Sequence, residues 1–451
     1  MKNDWRQKLH LEPKSGWLND PNGLSFFNGE YHIYFQYSPE SAYGSGGKCW
    51  GHWSGKDLIH LRFTGAVMRP DHPDDRSGVY SGCGFVKDGL LNLFYTGNVK
   101  EEGDHDYITS GRGANVIRVT TADGVTMSEK QTLLRNADYP DYCSCHVRDP
   151  KVWEEDGVYR MVLGARTLDD KGCVLFYRSD DLTDWSFDYE LSVPDFGYMW
   201  ECPDVIDVGG KRFLGISPQG MPHGETEHQN VYSSGYFRYD DTLRDFEEWD
   251  YGFDFYAPQS FIAPDGRGQG SRVLLIGWMG IGDIPYSNPT AELGWQHCLT
   301  FPRELTLRED GGICQRPVWE LNGRKGSPAE LKDGGMVTTE LPFYFASLSP
   351  CERFTLDLGG VLKLSYGDGI FTMRFTDMEV SGGRDVRRVK LGKFTGMEMI
   401  ADMSSVEVYL NGGEKVMSTR FYPRETALAL TAQGTGGSVY PLAAMEVKAD
   451  V

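Results

Sequence analysis

Residues 17–23 read Trp17-Leu18-Asn19-Asp20-Pro21-Asn22-Gly23. Taken alone, Asp-Pro-Asn-Gly is turn chemistry: Asn and Asp bond their own backbone, Pro presets φ, and Gly takes a positive φ. Its meaning comes from the residues downstream. Asn28-Gly29 is a hairpin-turn signal, and after it comes Tyr31-His32-Ile33-Tyr34-Phe35, an apolar, aromatic-rich strand run. The same order returns four more times, with turns at Asp88-Gly89, Asp156-Gly157, Gly209-Gly210 and Asp265-Gly266. Each is followed by a strand run such as Leu90 to Tyr95 or Val158 to Leu163. A repeat of roughly fifty to seventy residues accommodates four strands and their loops, which is one propeller blade.

Two further patterns support that reading. Lys56-Asp57-Leu58-Ile59-His60-Leu61-Arg62-Phe63 is echoed by Asp180-Asp181-Leu182-Thr183-Asp184-Trp185-Ser186-Phe187, each a candidate outer strand. The segments ahead of the hairpin turns begin at Asp20-Pro21, Ser81-Gly82, Asp149-Pro150, Glu201-Cys202 and Ala257-Pro258. Asp20, Asp149 and Glu201 lie 8, 7 and 8 residues upstream of their turns. Three acids therefore hold nearly one position of the repeat. Equivalent positions of a propeller converge at one end of its central channel, so these acids are expected to meet.

The chain divides into an all-β, five-bladed propeller over 1–315, a linker over 316–335 and a β-sandwich over 336–451. The sandwich rests on short period-2 runs, including Arg353 to Leu358, Phe371 to Phe375 and Ser405 to Leu410, the last leading into the Asn411-Gly412 turn. A length of 451 residues suits two domains, and 40% hydrophobic with 13% aromatic residues supplies the cores. The net charge of −20 argues against nucleic acid and anionic membrane as partners. An anionic substrate would need a local basic pocket. Residues 1–8 lack the apolar core of a signal peptide, and no run of about 18 apolar residues occurs. Nine cysteines, an odd count without Cys-x-x-Cys, read as reduced thiols in a cytoplasmic protein.

Carboxylates gathered in a funnel repel each other and lose water, so their pKa values spread apart. That division suits glycosidic bond cleavage, where one acid protonates and another attacks or activates water. Glu201, with its longer reach, is the candidate acid/base. Asp20, beside Asn19 and Asn22, is the candidate nucleophile. Asp149 follows Arg148 and is expected to stay ionised and to hold sugar hydroxyls. No Gly-x-Ser-x-Gly or phosphate-cradling glycine motif occurs. Gly111-Arg112-Gly113 reads as a loop, His223 to His228 as a solvated loop, and His10, His52 and His146 as packing or hydrogen-bonding residues.

At these segments the chain resembles glycoside hydrolase family 32, the β-fructofuranosidases: invertases, sucrose-6-phosphate hydrolases, exo-inulinases and levanases. Trp17 to Gly23 is similar to the family's nucleophile motif, Arg148-Asp149-Pro150 to its Arg-Asp-Pro motif, and Glu201-Cys202-Pro203 to its acid/base motif. Tyr34 to Pro39, Trp50-Gly51-His52, Tyr95-Thr96-Gly97, Asp254 to Phe261 and the run from Asp402 to Glu407 extend the resemblance over nearly the whole chain. It implies a retaining double displacement without metal or cofactor, with Asp20 as nucleophile, Glu201 as acid/base and Asp149 as transition-state stabiliser. Asn19, Gln36, Ser81 and Arg148 match substrate contacts, and Trp17, Trp50 and Cys202, in the same motifs, are expected to contact the substrate as well. Two segments depart from the family where it borders the substrate: its Phe-Ser-Gly-Ser reads Tyr80-Ser81-Gly82-Cys83, and Tyr43 stands where Trp is usual, so Tyr43 and Tyr80 are expected to contact the substrate.

The resemblance implies release of terminal β-D-fructofuranosyl units from sucrose, sucrose 6-phosphate or short fructans. Fructan exo-hydrolysis and fructosyl transfer use the same residues. An inverting arabinan- or xylan-type hydrolase and a non-catalytic sugar-binding propeller are the competing readings. Retention needs carboxyl groups about 5–5.5 Å apart, inversion about 6.5–9.5 Å. The expected partners are a small-molecule sugar and, in a homo-oligomer, further copies of the chain.

Overall fold

Four of the five hairpin signals form tight turns with positive φ at both central residues: Asn28-Gly29, Asp88-Gly89, Asp156-Gly157 and Gly209-Gly210, all between +50° and +79°. This is the type I′ geometry, whose twist matches that of the strands it joins. The fifth loop is longer, closed by Asp265 N–H donating to Gly270 O, with only Gly266 of the pair at positive φ. The computed structural model that shows this describes residues 5–240, 242–268, 270–347 and 349–449.

The turns begin five antiparallel sheets in chain order. Their first strands are Gly16–Phe27, Val79–Lys87, Cys143–Glu155, Met199–Val208 and Tyr256–Pro264. Each first strand packs against that of the next sheet, and Tyr256–Pro264 packs back on Gly16–Phe27. The result is a propeller-like ring with the first strands innermost. Trp295–Gln296 pairs in parallel with Gly16 and Trp17, and Glu446–Ala449 pairs in parallel with the outer strand His60–Met68. Late segments of the chain thus cover both edges of the first sheet.

The echo at Asp57 and Asp181 is a repeated Asx turn before an outer strand. Asp57 Oδ1 accepts from Ile59 and His60 N–H; Asp181 Oδ1 accepts from Thr183 and Asp184 N–H. Asp123 repeats the turn with Val125 and Thr126. The leucine after each of the first two acids, Leu58 and Leu182, is buried.

All five innermost strands carry a β-bulge where two residues oppose one on the second strand. The bulged pairs are Asn19-Asp20, Tyr80-Ser81, Asp149-Pro150, Cys202-Pro203 and Ala257-Pro258. A bulge bends the strand and re-aims its side chains. Asp149, Cys202 and Ala257 take φ of +63°, +47° and +49°, a strained region for non-glycine residues that clusters at functional sites.

The C-terminal part is a β-sandwich of two six-stranded sheets. Between them lie Phe343, Phe345, Leu356, Leu364, Phe371, Met399, Val406 and Val408. Within 316–335 the chain forms a 3-10 turn, Trp319–Arg324, and the sandwich edge strand Ala329–Leu331. One sandwich sheet is buried on both faces: Tyr344, Ile400, Tyr409 and Val416 join a core with Leu9, Leu299 and Phe301 of the ring.

That seam also contains charge. Arg303 donates to Glu407 Oε2 at 2.7 and 3.1 Å and to Asp250 Oδ2 at 3.0 Å. His10 bridges Asp402 Oδ2 at 2.8 Å and Glu407 Oε1 at 2.9 Å. Arg384 grips Asp254 with two 2.7 Å bonds. Asp254 opens the stretch to Phe261 that marked the family resemblance, and here it pins the ring to the sandwich.

Candidate active site

The stagger of the bulges builds the site. Counted from the bulge, Glu201 precedes it, Asp149 is its first residue and Asp20 its second. The three acids occupy successive positions, one step finer than the near-coincidence read from turn spacing. The position before the bulge holds Arg148, Glu201 and Tyr256 in the third, fourth and fifth sheets. In space, Arg148 and Tyr256 both bond to Glu201.

Glu201 is the hub. Arg148 donates to its Oε1 from Nη2 at 2.7 Å and Nε at 3.1 Å. Tyr256 O–H and Gln219 Nε2 donate to its Oε2 at 2.6 and 2.8 Å. Asp20 accepts from Ser81 O–H at 2.5 Å on Oδ2 and from Asn19 Nδ2 at 3.1 Å on Oδ1. Asp149 Oδ2 accepts from Cys202 N–H at 2.9 Å, and its own N–H donates to Thr96 at 2.8 Å. The Cys202 thiol lies 3.8 Å from Asp20 Oδ2 and 3.6 Å from Asp149 Oδ2, so it touches both carboxylates. The acids of three sheets share one cavity of about 300 Å³.

Their protonation follows from burial. Desolvation pushes Asp149 up to about 7, reinforced by the charges of Glu201 and Asp20, while Arg148 and Cys202 N–H oppose it. Asp149 was expected to stay ionised beside Arg148. Burial works against that, and Arg148 is turned onto Glu201, coming no nearer to Asp149 than 3.9 Å. Asp20 is also raised by burial, against the hydrogen bonds of Ser81 and Asn19. Across the cavity, burial lowers Lys48 to about 8 against the pull of Asp20.

Asn19, Gln36, Tyr80, Ser81 and Arg148 line the cavity as the sequence suggests. Trp17 stands behind Asn19, donating from Nε1 to Asn19 Oδ1 at 2.9 Å and stacking edge-on against His297. Trp50 departs from expectation. Its side chain is wholly buried and donates to Tyr80 O at 3.0 Å, so it fixes the wall without presenting a face to the cavity. Tyr43 is 70% exposed and lies outside the lining. Arg112, expected in a loop, begins the strand Arg112–Thr121 and lines the cavity with Lys48, Gln219, Tyr232, Tyr256, Trp278 and Asp283. Those residues were missed. Tyr256 alone had a usable signal, since it precedes the fifth repeat's Ala257-Pro258 as Glu201 precedes Cys202-Pro203.

A larger, open groove of about 950 Å³ involves Arg212, Arg244, Glu155, Asp207 and Asp240. Arg212 pairs with Glu155 and Asp207, and Arg244 with Asp240, so these five charges are spent on one another. The smaller cavity holds the chemistry.

Known proteins resemble this chain along nearly its whole length. Residues 10–317 match the model of the glycosyl hydrolases family 32 N-terminal domain, and residues 374–449 that of the family 32 C terminal. The chain is 34% identical to the sucrose-6-phosphate hydrolase of Bacillus subtilis (strain 168), over 96% of this chain and 92% of the relative. It is 36% identical to the raffinose invertase of Escherichia coli, over 96% and 93%. Among solved structures, the sucrose-6-phosphate hydrolase from Lactobacillus gasseri superposes with TM-score 0.88 at 26% identity, covering 98% of this chain and 94% of that one. The Bombyx mori family 32 β-fructofuranosidase superposes with TM-score 0.84 at 27% identity, covering 99% and 95%. With both family models matched in order and relatives above 30% identity along almost its full length, this chain belongs to glycosyl hydrolase family 32.

Proposed function

We propose that the chain is a β-fructofuranosidase that releases terminal fructosyl units from sucrose-type substrates by a retaining double displacement. The observation that carries it is the convergence of Asp20, Asp149 and Glu201, from three separate sheets, on one cavity. An Asp20 oxygen attacks the anomeric C2 of the fructosyl unit and forms an ester as the C2–O bond breaks. Glu201 gives its proton to the leaving oxygen. A water then attacks C2, passes its proton to Glu201 and frees Asp20. Asp149, raised to about 7, can both donate to and accept from the fructosyl hydroxyls. Ser81 and Asn19 orient the Asp20 carboxylate, and Tyr256 with Gln219 holds Glu201 on its leaving-group side.

We read the five sheets as five blades, with the propeller ending near residue 315, a connection over 316–335 that already lends the sandwich the edge strand Ala329–Leu331, and the rest of the sandwich from 336 onward. Nine free cysteines support work in a reducing, cytoplasmic compartment, on a small-molecule sugar. No helix among the described residues is long and apolar enough to cross a membrane.

The test is fructose release from sucrose and sucrose 6-phosphate, with the product anomer followed by NMR. Asp20→Ala and Glu201→Ala should each abolish release while circular dichroism stays unchanged. Release of the inverted anomer, or full activity in either variant, would overturn the mechanism.

A further inference from the structure

A chain of net charge −20 repels anions, yet its candidate site contains three cations: Lys48, Arg112 and Arg148. Two have partners. Arg148 is bound to Glu201 and to His146 Nδ1 at 2.6 Å. Lys48 donates to Asn19 Oδ1 at 3.1 Å and lies over the Trp17 ring. Arg112 has neither: among the described residues its guanidinium makes no hydrogen bond or ion pair, and its Nε is buried without a partner. Arg112 is half-buried, and a guanidinium nitrogen shut off from water without a partner is costly unless something completes the group. Arginine's fixed fork suits a planar or tetrahedral oxyanion.

Its neighbours place this free cation on one side of the cavity. Arg112 interacts electrostatically with Arg148, Tyr80, Cys145 and Glu201, so it faces the acid that protonates the leaving oxygen. Lys48 is coupled to Asp20 instead. Around His146, Arg112 is joined by Arg148 and Arg166. Burial and these three cations hold the imidazole down at about 3, so it stays neutral and accepts from Arg148. Arg166 is matched by the exposed Asp170. The cavity's remaining carboxylate, Asp283, is engaged by Tyr232 O–H at 2.6 Å, and no ion pair links it to Arg112. The leaving-group corner is thus a local positive spot in an acidic protein, of the kind an anionic substrate requires.

Resting on the fructosidase reading, we infer that Arg112 is a specificity-determining residue that takes the phosphate of a phosphorylated leaving sugar. The phosphate oxygens would complete the guanidinium fork, and the fructosyl unit would keep to the Asp20 and Asp149 side. Fructose still passes to Asp20 and then to water; Arg112 takes no part in bond making.

The experiment measures kcat/KM for sucrose, sucrose 6-phosphate (phosphate on glucose) and sucrose 6′-phosphate (phosphate on fructose). It uses the full chain, Arg112→Gln and Arg112→Lys. The unsubstituted chain should prefer sucrose 6-phosphate to sucrose. Arg112→Gln should lower the ratio of those two constants by on the order of tenfold to a hundredfold, the loss of charge-assisted bonds to one anion. Arg112→Lys should recover part of that ratio, which also shows that the altered site still folds. Glucose 6-phosphate should inhibit sucrose cleavage better than glucose, and Arg112→Gln should remove the difference. Fructose release from sucrose with no preference for its 6-phosphate, or a ratio unmoved in Arg112→Gln, overturns this inference and leaves the fructosidase reading standing. Preference for the 6′-phosphate overturns the leaving-group placement. No fructose from any of the three sugars overturns both readings together.

Discussion

Two groups of buried acids behave oppositely. At the seam between ring and sandwich, Asp402 and Glu407 lie wholly out of water, yet both are held below the usual carboxylate range. In the cavity, Asp20 and Asp149 are raised. Burial pushes all four upward, so the difference lies in their partners. At the seam, Arg303 and His10 outweigh burial and bring Glu407 down to about 2. His10, flanked by Asp402 and Glu407, is raised to about 9 despite its burial. In the cavity, Asp149 and Asp20 face Glu201, and the nearest guanidinium is turned onto Glu201. Even at the seam the balance is local: Asp250, which shares Arg303 with Glu407, is itself raised by burial. Pairing makes charge structural; leaving it unbalanced makes it reactive.

The comparison breaks most sharply if the cavity acids prove structural. Asp149→Asn keeps shape and removes the charge, so activity should fall by about a thousandfold or more. Stability should move the other way. A carboxyl whose folded pKa is raised costs nothing while both states are protonated, below about pH 4. The cost grows as the unfolded chain ionises and is complete above about pH 7. With Asp149 at about 7, that cost is at most about 4 kcal/mol. Denaturant melts should therefore show Asp149→Asn stabilised at pH 8 and unchanged at pH 4. A variant destabilised at pH 8 would put Asp149 with the seam acids.

At the seam the same kind of substitution should do the reverse. Arg303→Met removes the cation that Glu407 and Asp250 share and leaves Glu407 with His10 as its charged partner, a loss of about 3–5 kcal/mol, with kcat unchanged in the protein that remains folded. The pH dependence also has the opposite sign. The contribution of His10, raised to about 9, is fully present below about pH 6.5 and is lost as pH rises through 9. The contribution of Glu407, lowered to about 2, is present above about pH 4.5 and is lost as pH falls through 2. Each amounts to about 3 kcal/mol, and they overlap in the His10–Glu407 contact, while Arg303 acts on Glu407 and Asp402 on His10 separately. Melts of the unsubstituted chain should find the seam firmest between about pH 4.5 and 6.5. A His10→Gln variant should lose the alkaline limb.

What the sequence made legible was local. Type I′ turns at Asn28-Gly29 and Asp156-Gly157 and the Asx turns at Asp57 and Asp181 are set by residues within a few positions of each other. They revealed the repeat, and the repeat revealed Asp20, Asp149 and Glu201. The bulge was not legible, because it is defined by pairing with a second strand. Counting from turns therefore blurred three staggered acids into one position and passed over Tyr256. Lys48, Arg112 and Gln219 stand on second and third strands or on loops, where only the closed ring brings them to the cavity. The direction of Arg148 was equally hidden: chain adjacency suggested Asp149 as its partner, and the fold turns it to Glu201.

The smallest predicted effect tests the premise of the comparison, that burial rather than mutual repulsion dominates in the cavity. Glu201→Gln removes one of the charges that raise Asp149 and frees Arg148, now 3.9 Å from Asp149. Both changes lower the Asp149 pKa. Desolvation, the leading cause of its elevation, is untouched by an isosteric substitution. A ¹³C NMR titration of the Asp149 carboxyl should therefore show a drop of about one unit from its value near 7, well short of the ordinary aspartate range. A return to about 4 would mean that repulsion between neighbours sets the value, and that Arg148 alone could make a cavity acid behave like those at the seam.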